Sequence, residues 1–126
     1  MPTQLELSPE KIAVYRANAL ERQRQEKEKS KLRLEQAWLA AQEAAVLLRE
    51  AFGVSRVVVF GSLAREIDFN RWSDVDIAAW DIAPEDTFRA IGAVMDMKTD
   101  IPVNLIDVNT AQPALLAEIE RDCVEL

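Results

Sequence analysis

Apolar and polar positions change their spacing several times along this chain, and each change predicts an element. Ser8-Pro9-Glu10 reads as a helix start: a capping hydroxyl, Pro at the first helical position and an acid near the positive helix end. The helix is expected to run toward Ala51, with room for a break. Its first part is mildly apolar at Ile12, Tyr15, Ala19 and Leu20, whereas Glu21 to Lys31 holds no apolar residue. Opposite charges three apart, Glu26 with Lys29 and Glu28 with Lys31, would support an exposed helix by roughly tenths of a kcal/mol each. From Leu32 onward Leu34, Ala37, Trp38, Ala41, Ala45, Leu48 and Phe52 recur at helical spacing, the pattern of a helix facing a core, with Trp38 in that core. Gly53 is the expected C-cap.

Beyond Gly53 the spacing shortens. Arg56 to Trp80 reads as a β-branched strand (Val57-Val58-Val59-Phe60), a turn at Gly61-Ser62, a short helix, and a second strand carrying Asp74 and Asp76. Trp72 is expected to cap the sheet. Pro84-Glu85-Asp86 opens another helix, with Phe88, Ile91 and Met95 on one face. Ile101 to Val108 predicts a third strand, Thr110 to Arg121 a last helix, and Cys123 to Leu126 a short edge strand. The order predicts an α+β (mixed α/β) domain over residues 36–126, preceded by a charged helical arm over residues 1–35. The arm has two readings, a solvated arm or one that binds a partner or forms oligomers.

Composition narrows the chemistry. The length of 126 residues argues for a single core. The first twenty residues include Glu6, Glu10 and Lys11 and lack the apolar stretch of a signal peptide, and no apolar run is long enough to span a membrane. Cys123 stands alone and is weakly consistent with a cytoplasmic address. Without histidine there is no Ser-His-Asp triad, no imidazole base and no His ligand, so a metal would be held by oxygen, which favours Mg²⁺ or Mn²⁺. The net charge of −7 divides into +2 over residues 1–35 and −9 over the rest. An acidic domain argues against direct nucleic-acid binding and suits a basic protein partner.

The candidate chemistry lies between the first two strands. Gly61 permits a sharp turn and the close approach of a ligand. Ser62 can cap a following helix, and free amides at a helix start suit a phosphate. Asp74 and Asp76 alternate with Val75 and Ile77. In a strand, residues two apart share a face roughly 6.6 Å apart. Two carboxylates converging from there can hold metal ions roughly 3.5–4 Å apart.

Gly-Ser, an eleven-residue gap and then Asp-x-Asp resembles the signature of polymerase-β-type nucleotidyltransferases, most of all the minimal (MNT-domain) members. Gly61, Ser62, Arg65, Ser73, Asp74 and Asp76 match the pattern position by position. The resemblance implies a small mixed sheet with helices on one side, and transfer of a nucleoside monophosphate from a nucleoside triphosphate. It also implies an antitoxin role beside a HEPN-domain toxin. By this resemblance Gly61, Ser62 and Arg65 contact the triphosphate of ATP, and Asp74 and Asp76 are catalytic metal ligands.

Two positions depart from the pattern. Glu66 follows Arg65 where the family has a small residue, and an acid there repels phosphate. Asn104, in Val103-Asn104-Leu105, occupies the usual position of a third catalytic acid. An amide oxygen can ligate a metal weakly but cannot take a proton from an attacking hydroxyl. Asp107 is three residues on and faces away by strand parity, so it would substitute only through a bulge; Asp100 is a weaker candidate. Two functions follow. One is a Mg²⁺-dependent nucleotidyltransferase moving AMP from ATP to a protein hydroxyl of a HEPN partner. The alternative is a weak or inactive MNT-fold antitoxin that neutralises its partner by binding. A small-molecule nucleotidyltransferase ranks third, because it usually needs a further domain.

Overall fold

The computed structural model describes residues 8–126. Glu6 and the start of the expected arm lie outside the described residues. Backbone contacts divide the chain into two units, with the boundary between Leu32 and Arg33.

Helix α1, Pro9–Phe52, starts as expected: the Ser8 Oγ accepts from the Lys11 amide at 3.2 Å. Over residues 9–32 its side chains are exposed apart from half-buried Ala19. The ion pairs there are not those expected from spacing. Arg24 bridges Glu21 at 2.6 Å and Glu28 at 2.7 Å, because its forked guanidinium reaches both neighbouring turns.

In the second unit, α1 buries Ala37, Ala40, Ala41, Ala44, Ala45 and Leu48. Alanine at most of these positions lets the helix lie close to the sheet. Trp38 packs half-buried at the edge of this core. Gly53 ends the helix in the left-handed region at φ +62°. Its amide donates to the Arg49 carbonyl at 3.2 Å, the single bond of an αL cap.

The sheet has the order β3-β2-β1-β4, with β1 Arg56–Phe60, β2 Val75–Trp80, β3 Val103–Asp107 and β4 Val124–Glu125. β1 runs antiparallel to β2 and β4, and β2 parallel to β3. Alternation along the strands gives each face its own core. Val57, Val59, Ile77, Ala79 and Leu105 pack with α1 and with α2 (Thr87–Met95). Val58, Phe60 and Ala78 pack on the other face with Ile119 and Leu115 of α3 (Pro113–Arg121). Thus α1 and α2 share one side, as expected, and α3 forms a small layer opposite.

Two expectations fail, at Gly61–Asp68 and at Trp72, and α2 adds a finding about its burial. The segment Gly61–Asp68 is a chain of turns rather than a helix; one helical turn closes from the Arg65 amide to the Gly61 carbonyl, and Glu66 then takes φ +36°, which ends it. α2 buries Ala90 and Val94, leaving Phe88 (88% exposed) and Met95 outside, because the smaller side chains suit the close approach to the sheet. Trp72 is 78% exposed and caps nothing.

Candidate functional site

The two halves of the expected site meet on the α3 side of the sheet, at the end of β1. Phe60 pairs with Asp76, so the next residue, Gly61, turns across the Asp76 side chain. Gly61 has φ +72°, and a Cβ added there would lie 3.1 Å from Asp76 Oδ2. The left-handed backbone angle favours glycine, and the close approach makes any Cβ tight against the carboxylate. The amides of Ser62, Leu63 and Ala64 precede the first bond of the turn, the arrangement that leaves N–H groups free at a helix start. Ser62 is half-buried beside the corner, while Leu63 fills the core beneath it.

Asp76 is half-buried and Asp74, at the mouth of β2, likewise. Burial raises the Asp76 pKa above the ordinary carboxylate range. A hydrogen bond from Asn104 opposes this, and the charges of Asp74 and Glu118 add to it. Asn104 lies beside Asp76 in the parallel pair, and its amide nitrogen donates to Asp76 Oδ1 at 3.4 Å. Asn104 is therefore on the site, as a neutral partner of Asp76 where a third acid would stand.

Arg65 is exposed and already engaged. Its Nε donates to Asp68 at 2.7 Å, and Nη1 lies 3.6 Å from Asp122 at the end of α3; these contacts raise its pKa, Asp68 most. Contact with a triphosphate would require it to exchange these partners. Asp107 is excluded from the site. It is 2% exposed on the opposite face, accepts from the Thr87 hydroxyl at 2.7 Å and caps the following turn through the Asn109 amide at 3.0 Å. Sequence reasoning missed Asp68, Glu118 and Asp122. The i,i+4 spacing of Glu118 and Asp122 was legible, but the seating of α3 over β1 was not.

The donor set fits a hard cation. Among the described residues Asp76 has no cationic side chain among its partners, and the two acids and the Asn104 carbonyl would offer oxygen ligands. Among the described residues no three acids, histidines or cysteines gather as a metal cluster. A divalent ion here would complete its shell with water and phosphate oxygens, which is how Mg²⁺ commonly binds.

No protein-family model matches the chain, and no curated protein matches it. Solved structures do. A chain of a mutant toxin–antitoxin MntA-HpeT superposes with TM-score 0.54 at 20% identity, covering 68% of this chain and 69% of that one. A second MntA-HpeT mutant gives 0.55 at 18%, covering 68% and 70%. A toxin–antitoxin crystallised with AMP-PNP gives 0.52 at 18%, covering 66% and 69%. The fold is of the minimal nucleotidyltransferase type. In that fold the Gly61 corner, Asp76 and Asn104 lie together at one end of β1, β2 and β3, and α1 adds its long N-terminal extension. Among the described residues no helix is long and apolar enough to cross a membrane.

Proposed function

We propose that this chain is a Mg²⁺-dependent nucleotidyltransferase that moves AMP from ATP to a hydroxyl of a protein partner, and that it serves as the antitoxin of a HEPN-type toxin in the cytoplasm. The observation that carries the reading is the contact between Gly61 and Asp76, which sets a carboxylate beside amides suited to phosphate. A solved toxin–antitoxin of the same fold was crystallised with AMP-PNP, which supports a nucleotide as the ligand.

The chain's own groups have separable tasks. Gly61 leaves room for a phosphate, and the amides of Ser62 to Ala64 donate to its oxygens. Asp76, with no cationic partner among the described residues, offers its carboxylate to a metal, with Asp74 close by in β2. A bound Mg²⁺ would neutralise charge on the phosphates. Asn104 orients Asp76. In the transfer the acceptor oxygen bonds to the α-phosphorus, its hydroxyl proton passes to solvent water, the bond from the α-phosphorus to the α,β-bridging oxygen breaks and pyrophosphate leaves. Asn104 cannot accept the hydroxyl proton, so turnover is slow. The test is transfer of label from α-labelled ATP to the product of the adjacent reading frame, with Asp74→Asn and Asp76→Asn as controls; label that survives both substitutions, or is absent throughout, rejects the enzyme.

The second reading is an antitoxin that works by binding alone. It is favoured by the neutral Asn104 and by the engagement of Arg65 with Asp68 and Asp122. Tight association with the partner, without Mg²⁺-dependent ATP binding, would select it. In either reading the arm proposed over residues 1–35 is the contact to test, and truncation before Leu32 asks whether it contributes to the complex.

A further inference from the structure

Arg65 and Asp122 meet where the Gly61 turn faces the end of α3, and both are held in place. On one side, the Arg65 amide donates to the Gly61 carbonyl at 3.3 Å, which fixes the arginine one helical turn from the Gly61 corner. On the other, Asp122 lies between two anchors: Ile119 is fully buried against Val58, Phe60 and Ala78, and Val124 pairs with Val59. The guanidinium sits between two carboxylates. Its Nε donates to Asp68 at 2.7 Å, and Nη1 lies 3.6 Å from Asp122, which is half-buried. Glu118, one turn back along α3 from Asp122, acts by its charge on both Arg65 and Asp76. The remaining acid of this stretch, Glu120, acts instead on Arg56.

We propose that Asp122 and Asp68 are an internal competitor for the nucleotide: they occupy the Arg65 guanidinium in the free protein and release it to the triphosphate when ATP binds. The proposal rests on the reading of the Gly61 corner as a triphosphate site. The planar fork of a guanidinium suits carboxylate and phosphate oxygens alike, so the two acids and the triphosphate compete for the same N–H donors. An exposed arginine–carboxylate pair is weak, so the contact yields to a triphosphate and lowers its affinity without blocking it. The anchors on either side of Asp122 keep its carboxylate opposite Arg65, so the competition is a standing property of the fold.

The test is calorimetric titration of ATP with Mg²⁺ into the full chain, for wild type and variants, with melting temperatures alongside. Asp122→Asn is expected to bind ATP about threefold more tightly, the size of effect that one exposed ion pair allows. Asp68→Asn carries the same expectation from the other side of the guanidinium, and it serves if Asp122→Asn melts lower. Glu120→Gln removes the same charge from α3 at a point facing Arg56 and should leave the affinity unchanged. Arg65→Gln should weaken ATP binding and abolish the gain from either acid. Unchanged affinity in an Asp122→Asn or Asp68→Asn variant that melts as wild type does overturns the proposal. So does an equal gain in Glu120→Gln, or wild-type affinity in Arg65→Gln. The expected gains without label transfer uphold the competitor and reject the enzyme; label transfer with unchanged affinities does the reverse. No ATP binding in any of the proteins rejects both.

Discussion

Gly61 turns close across Asp76 at the end of β1: a Cβ added at Gly61 would sit 3.1 Å from Asp76 Oδ2, so the carboxylate would have to give by a few tenths of an ångström. Gly61→Ala is therefore expected to act twice. The left-handed φ costs roughly 1–2 kcal/mol in any L-residue, and the methyl pushes the carboxylate away. Urea denaturation should report the loss of stability, and calorimetry a loss of ATP affinity. Gly53→Ala is the control: it shares the positive φ but meets nothing within 4 Å, so it should lower stability and leave ATP binding intact.

Asp107 should behave as a structural acid. Asp107→Ala leaves the Thr87 hydroxyl and the Asn109 amide without their acceptor, which costs about 2–3 kcal/mol. The urea midpoint should fall while the Mg²⁺ dependence of ATP binding is unchanged. A selective loss of Mg²⁺ dependence would assign Asp107 to the site after all.

Asp76 should make the fold more stable in mild acid. Burial raises its pKa, the charges of Asp74 and Glu118 add to this, and Asn104 only partly offsets it. The folded state therefore binds the proton more tightly than the unfolded chain. Stability from this group is fully present below the ordinary Asp pKa and is lost as pH rises through the raised value. Without metal, Asp76→Asn should melt higher than wild type at neutral pH, and the difference should vanish on acidification. Equal melting temperatures at both pH values would contradict the assignment.

Asn104→Asp would add a charge beside Asp76, where the amide now donates at 3.4 Å. In a chelator this variant should melt below wild type. With Mg²⁺ it should gain more than wild type does, and label transfer should increase. A variant insensitive to Mg²⁺ would count against a metal beside Asp76.

Much of this was readable from the chain. The β-branched run at Val57 and the alternation through Asp76 specify strands because each sheet face has its own core. Parity alone set Asp107 opposite Asn104. The Gly53 cap followed from an apolar helical stripe ending at a glycine. What was not readable depended on distant contacts. The turns after Gly61 displace a helix because Glu66 takes a positive φ and Asn70 and Ser73 bond each other's backbone. Phe88 and Met95 share the face of Ile91 by spacing, yet Ala90 and Val94 are what α2 buries against the sheet. The charge of Glu118 acts on Asp76 only because α3 folds back over β1, and no local pattern carries that information.

The most direct measurement is calorimetric titration of ATP into the full chain, with Mg²⁺ and with chelator, for wild type and Asp76→Asn. A divalent-dependent, saturable site that disappears in the variant is the predicted result. Absence of binding in wild type, or equal binding with chelator or in Asp76→Asn, would contradict a nucleotide site at the Gly61–Asp76 corner.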